Sequence, residues 1–272
     1  MQRKTKVRQL SDLRPWDRQK ALLAEAQMCG DSPEAVKSWI RDPNRWPNAE
    51  SYDPDSLEPC ETLGIRERSL RKRLPDWFWA GEEGAAILSV GTGKGYFERK
   101  FWGRFDRIYI IDPSVNTSLS LKYYPIANAE FLAQSLYDAP FYFERAPKYC
   151  WLGASIHYLF GEFNGWHFMQ KLAMMVSDSI IVDAGVFDGE SPQGQYLRDA
   201  CWNSTEQFEV HRNEDFSFAA FQASIKDFWS IEAEWLTDWI NDRRSLILKR
   251  KLPARVRREQ LGKMELVEPA YP

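Results

Sequence analysis

The sequence predicts an α/β protein built on a mostly parallel sheet, and three observations carry that expectation. Residues 86–90 form a short apolar run broken only by Ser89, the pattern of a strand buried on both faces. The run ends in alternating glycines, Gly91, Gly93 and Gly95, which permit a sharp turn and a close approach of backbone to a ligand. A second apolar run, 108–111, ends in Asp112. It follows about one βαβ repeat later, where a carboxylate can accept hydrogen bonds from ribose hydroxyls. Together these features read as a nucleoside-cofactor site, against the simpler alternative of a tight turn without a ligand.

The glycine spacing narrows the cofactor. A nicotinamide or flavin fingerprint needs a glycine at the sixth position of the motif, and Tyr96 stands there. A phosphate-binding P-loop needs a glycine five residues before Gly93-Lys94 and a Ser or Thr after the lysine, whereas Leu88 and Gly95 occupy those places. The G-x-G-x-G spacing resembles motif I of the class I S-adenosylmethionine-dependent methyltransferases. Residues 129–141, containing Gln134, Ser135 and Leu136, are similar to the third motif of that family. Residues 148–157, running through Gly153 to His157, resemble its fourth strand and catalytic loop. The likeness spans roughly residues 80–250 and rests on the order of several motifs.

The resemblance implies a Rossmann-like, seven-stranded, mostly parallel sheet flanked by helices, with an N-terminal helical addition. It implies S-adenosylmethionine as cofactor. On this chain the cofactor residues would be Gly91, Thr92, Gly93, Gly95, Asp112, Pro113, Gln134, Ser135, Leu136 and Gly153, with Arg66 a candidate for the cofactor carboxylate or an anionic acceptor. Two positions depart from the family pattern. Ser89 stands where an acid usually precedes the first glycine, and Gln134 where an Asp is common. Both side chains can still hydrogen-bond, Gln134 accepting through its amide oxygen from an adenine amine.

At 272 residues the chain is long enough for one large α/β domain with additions. The expected division is an N-terminal extension over 1–60, a main domain over 61–252 and a basic tail over 253–272. A net charge of −3 argues against a chain dominated by nucleic-acid electrostatics. Basic residues nevertheless cluster at the start (Arg3, Lys4, Lys6, Arg8, Arg14, Arg18, Lys20) and near the end (Lys249, Arg250, Lys251, Arg255, Arg257, Arg258). Such runs are solvated termini or contacts to phosphate, nucleic acid or an anionic surface. The 12 tryptophans are assigned to packing rather than to ligand stacking. Cys29, Cys60, Cys150 and Cys201 form no C-x-x-C pair, so neither zinc nor a disulfide framework is indicated. No apolar stretch approaches the roughly 20 residues of a membrane span, and the charged start is unlike a secretory signal. A cytoplasmic protein is expected.

Helices are predicted over 16–29, 32–41, 62–74, 116–123, 165–176 and 195–202. The second has Ser32 as N-cap, Pro33 at the first helical position and Glu34 in the first turn. Residues 42–59, rich in Pro, Asn and Asp, read as a loop, and Pro75 should stop the helix over 62–74. Strand five is expected over 179–183, followed by a loop over 184–194. Strands over 216–224 and 244–249 are expected as the antiparallel pair that closes the sheet.

Methyl transfer from a sulfonium is an in-line displacement, so the protein must align the acceptor and make it nucleophilic. His157, one of three histidines with His167 and His211, is the candidate base for a hydroxyl acceptor; a buried structural histidine is the alternative. Glu162, Asp183, Asp188 and Glu190 lie near the same predicted sheet edge, without a spacing specific for a metal. Amine-directed members of the family carry an N-P-P-Y-like run after strand four, and residues 151–154 do not match it. The segment is more similar to small-molecule and glycan methyltransferases, loosely to the methyltransferase part of bacterial enzymes that cap O-antigen polysaccharides. O-methylation of a small molecule or carbohydrate is therefore the leading expectation. An RNA or protein methyltransferase gripping through its basic ends is the second, and an inactive binding or assembly module the third.

Overall fold

The computed structural model describes residues 32–42, 52–112, 114–134, 136, 138–140, 142–153, 167–187, 218–239 and 243–251. Among them, the helices are α1 (Pro33–Arg41), α2 (Glu61–Arg71), α3 (Asp76–Ala80), α4 (Tyr96–Phe101), α5 (Val115–Tyr123), α6 (His167–Met175) and α7 (Phe218–Ile225). The strands are β1 (Ala86–Val90), β2 (Arg107–Ile111), β3 (Ala129–Leu132), β4 (Tyr149–Leu152), β5 (Ser179–Phe187), β6 (Trp229–Leu236) and β7 (Arg243–Arg250). They form one seven-stranded sheet in the order β3-β2-β1-β4-β5-β7-β6. Strands β1 to β5 pair in parallel, and β7 runs antiparallel to both β5 and β6. The chain therefore reverses its course across the sheet between β1 and β4, leaving the crevice where doubly wound sheets bind ligands.

Alternation along the strands sorts their side chains into two cores, because successive residues point to opposite faces. One face sets Leu88, Val90, Tyr109, Ile111, Cys150, Leu152, Ile180 and Val182 against Met169, Leu172 and Ala173 of α6 and Phe221 and Ile225 of α7. The other sets Ile87, Ile108, Ile110, Tyr149, Trp151 and Ile181 against Leu63 and Leu70 of α2, Phe78 of α3 and Phe97 of α4. A third, smaller cluster seats α1 on α5, with Val36, Trp39 and Ile40 against Tyr124 and Leu119. Helix α1 begins as its sequence prescribes: Ser32 accepts from the Ala35 amide, and Pro33 opens the helix.

Several expectations are corrected. Helix α2 ends at Arg71, three residues short of Leu74, and Pro75 serves instead as the N-cap of α3. Strand β5 does not stop at Asp183. It continues to Phe187 past a register shift between Val182 and Val186, with Ala184 at φ 50°. It does so because β7 reaches far enough to pair Arg244 and Arg243 with Val186 and Phe187. The strand expected over 216–224 is helix α7. Phe221 and Ile225 are buried four residues apart, the helical period, and Ala219, Ala220 and Ala223 favour helix. The antiparallel partner of β7 is instead β6, where the sequence reading placed no element. A bulge between Ile231 and Ala233 turns this strand over. Ile231 packs with one core, and Ala233 and Trp235 with the other. The helices expected over 16–29 and 195–202 lie outside the described residues.

Phe78 is fully buried, with the rings of Trp79, Phe97, Trp102 and Trp151 centred 4.8–5.7 Å away. Phe78→Ala is expected to cost about 3–5 kcal/mol, seen as a lower midpoint in urea denaturation.

Candidate cofactor site

The site is organised around the turn between β1 and α4. Gly91, Gly93 and Gly95 have φ of 71°, 60° and 79°, the left-handed region that side chains with a Cβ avoid. The turn is stitched to both neighbouring strands. The Gly91 amide donates to the Ile111 carbonyl at 3.2 Å on the β2 side. On the β4 side the Gly153 amide donates to the Val90 carbonyl at 3.0 Å. A Cβ on Gly153 would lie 2.6 Å from the Gly91 carbonyl oxygen. The backbones leaving β1 and β4 thus meet closely at the crevice, and only glycine fits there.

Asp112, at the end of β2, is buried and holds this turn from the side. Its carboxylate accepts from the Gly93 amide at 3.2 Å, the Ser114 amide at 2.8 Å and the Thr117 hydroxyl at 2.8 Å, with the Thr92 amide a further donor. Burial raises its proton affinity above that of an ordinary Asp, and these donors oppose the rise.

Ser89 supplies the second tie. Its hydroxyl donates to Glu98 Oε1 at 2.5 Å and lies 2.7 Å from the Thr92 hydroxyl. Glu98 is 2% exposed. The acid missing at position 89 is thus present in space, delivered from the third residue of α4. Sequence reasoning missed it, although an acid at the third position of a helix that opens on a glycine is a recognisable pattern.

Arg66 forms a buried ion pair. Its Nε and Nη2 each lie 2.6 Å from Asp183 Oδ2, and Ser245 donates to Asp183 Oδ1 at 3.1 Å. The guanidinium also lies over the rings of Trp239 (4.9 Å), Phe97 (5.1 Å) and Trp151 (5.6 Å). The cation expected to meet a ligand is thus paired internally, joining α2 to the middle of β5, at its register shift. Gln134 follows β3, partly exposed, its backbone N–H donating to the Leu132 carbonyl at 2.8 Å. Leu136 is buried in the core beneath. Pro113, Ser135, His157, Glu162, Asp188, Glu190 and His211 lie outside the described residues, and His167 belongs to α6. Among the described residues no group of acids, cysteines and histidines has the arrangement of a metal site. No described helix is long and apolar enough to cross a membrane.

The Gly91, Thr92, Gly93 and Gly95 amides are engaged within the protein, so what the turn offers a nucleoside cofactor at the crevice is close approach to a backbone free of side chains. Strand order and the reversed β7 are those of the class I methyltransferase fold, as the glycine motif implied. No family model matches the chain, and no curated protein does. Solved structures do match. The N-methyltransferase NodS from Bradyrhizobium japonicum, in complex with S-adenosylhomocysteine, has a TM-score of 0.47 and 9% identity, covering 80% of this chain and 97% of that one. Magnesium protoporphyrin IX methyltransferase from Synechocystis, with bound S-adenosylhomocysteine, scores 0.44 at 12% identity, covering 89% and 99%. The 16S rRNA methylase RmtB scores 0.46 at 13% identity, covering 87% and 84%. At such scores the likeness carries nothing about acceptor or activity, and the fold assignment rests on the strand order itself.

Two outcomes are expected. Gly153→Ala forces the β1 and β4 ends apart and is expected to destabilise the fold by about 1–3 kcal/mol, read as a lower thermal midpoint. Glu98 has a proton affinity raised above its ordinary value of 4.5, chiefly by burial. The folded state therefore holds this proton more tightly, so its contribution to stability is full below pH 4.5 and is lost as pH climbs through the raised value. Glu98→Gln keeps the shape and removes the titration. Urea denaturation across a pH series is expected to show the variant gaining on the wild type as pH rises above 4.5.

Proposed function

We propose that this protein is an S-adenosylmethionine-dependent methyltransferase that methylates a hydroxyl of a small molecule or carbohydrate. The observation that carries the cofactor part is the three-glycine turn at the crevice with the buried Asp112 carboxylate against it. When bound, the cofactor supplies an activated methyl group on a sulfonium. The chain's own part is to bind, orient and deprotonate. Gly91, Thr92, Gly93 and Gly95 would offer backbone close to the ligand, and Asp112 would accept from ribose hydroxyls in exchange for one of the internal donors it now holds. Gln134 would accept from the adenine amine, Pro113, Ser135 and Leu136 remain the sequence's other cofactor candidates, and Gly153 would keep the floor of the crevice free of side chains. His157 is the proposed base that takes the acceptor's proton.

The acceptor assignment leans on the absence of the amine-directed run at residues 151–154. The start of the basic C-terminal run is partly committed to the fold. Lys249 pairs with Asp178, Arg250 donates to the Ala173 and Val176 carbonyls at the end of α6, and Lys251 donates to the Lys226 carbonyl. Arg250 thus serves the fold, while Lys249 and Lys251 stay exposed with these internal partners.

Calorimetric titration with S-adenosylmethionine and S-adenosylhomocysteine is expected to show micromolar binding. Asp112→Ala should weaken it about 10- to 100-fold, the value of hydrogen bonds to a charged group. Absence of binding to the wild type would favour a non-catalytic module. Labelled methyl transfer to a panel of sugars, sugar phosphates and phenols then tests the acceptor class; transfer to RNA alone would overturn it.

A further inference from the structure

Lys94 lies between two glycines of the turn, yet its side chain is 1% exposed and points away into the N-terminal segment. Its Nζ donates to the Ile40 carbonyl at 2.9 Å and reaches the Tyr52 carbonyl at 3.5 Å, with the Tyr52 ring centred 5.6 Å away. Ile40 is in the last turn of α1, where carbonyls lack intrahelical partners and the helix dipole favours a cation.

Contacts also run in the opposite direction. The Lys94 carbonyl accepts from the Tyr52 hydroxyl at 2.5 Å, the Ser120 hydroxyl at 3.1 Å and Arg99 Nε at 3.3 Å. Arg99 in turn donates to the Tyr52 hydroxyl at 3.1 Å and to the Ser120 carbonyl at 3.3 Å. One residue of the turn therefore has its side chain bonded to Ile40 and Tyr52 and its main chain bonded to Tyr52. Helix α1, which carries Ile40, is separately seated on α5 through Val36, Trp39 and Ile40.

We propose that Lys94 and Tyr52 are positioning residues that hold the glycine turn from outside, so that seating of the N-terminal segment and ligand occupancy of the turn are coupled. A turn of three glycines loses much conformational entropy on ordering, and an external clamp lowers what a ligand must order. Unseating α1 would leave the Lys94 ammonium without its Ile40 acceptor, which is costly for a buried charge. By linkage, whatever steadies the turn steadies the segment to the same extent. The ligand arm of the test rests on the cofactor reading, and the unliganded arm does not.

Hydrogen exchange of the full chain, read by mass spectrometry, decides the proposal. Without ligand, Trp39→Ala loosens α1 at its α5 side, and Lys94→Met removes the clamp while keeping the side-chain stem. Each is expected to speed exchange in both 32–42 and 91–95. Faster exchange confined to the mutated segment in both variants overturns the coupling. With S-adenosylhomocysteine, wild-type exchange should slow in both segments, and in Lys94→Met the slowing of 32–42 should vanish. Protection of 91–95 alone overturns the coupling but leaves the cofactor reading standing. Protection nowhere overturns the cofactor reading, while the unliganded arm still decides the coupling. Tyr52→Phe, a milder change, should weaken S-adenosylhomocysteine binding about threefold to tenfold, the value of one hydrogen bond, with little change in thermal midpoint. Unaltered affinity in both Tyr52→Phe and Lys94→Met removes their positioning role.

Discussion

A turn of left-handed glycines buried at the carboxyl end of a central strand presents backbone groups that need partners, and the surrounding architecture is arranged to supply them. Asp112 takes amides on one side, while Tyr52, Ser120 and Arg99 donate to the Lys94 carbonyl on the other. Ser89 ties the strand below the turn to Glu98 in the helix beyond it. The partners come from several elements, so the position of the turn depends on β1, β2, α4, α5 and the N-terminal segment at once. Such over-determination is what keeps a glycine-rich segment in one conformation.

The same face of the sheet carries an uncommon concentration of aromatic side chains, and the Arg66–Asp183 pair is embedded among them. Removing two charges from water is expensive, so such a pair adds little net stability over a well-packed apolar one. Its geometric effect is clearer. It fixes α2 to the bulged middle of β5, where Ala184 accepts from Arg243 and donates to Ser245. The edge of the sheet beside the crevice is thus held by directional bonds rather than by packing alone.

Much of the fold was legible where pattern and burial coincide. Strands β1, β2 and β4, buried on both faces, read as continuous apolar runs, and α1 announced its start through Ser32 and Pro33. The apolar run that became α7 was misread because a short run without clear punctuation does not distinguish the two periods. Strand β6 carried an alternation of Trp229, Ile231, Ala233 and Trp235 that went unused. Its bulge, like that of β5, depends on a partner strand distant in sequence and leaves no local signature.

The sequence by itself determined the α/β alternation, the glycine turn and the carboxylate one repeat beyond it, because these depend on local periodicity and on backbone conformations that few residues adopt. Tertiary structure alone decided that Glu98 stands beside Ser89, that Arg66 is paired with Asp183 and that Lys94 turns into the N-terminal segment. Those choices depend on which long polar side chains find partners in a buried space. Partners 9, 117 and 54 residues apart come together only when the sheet does.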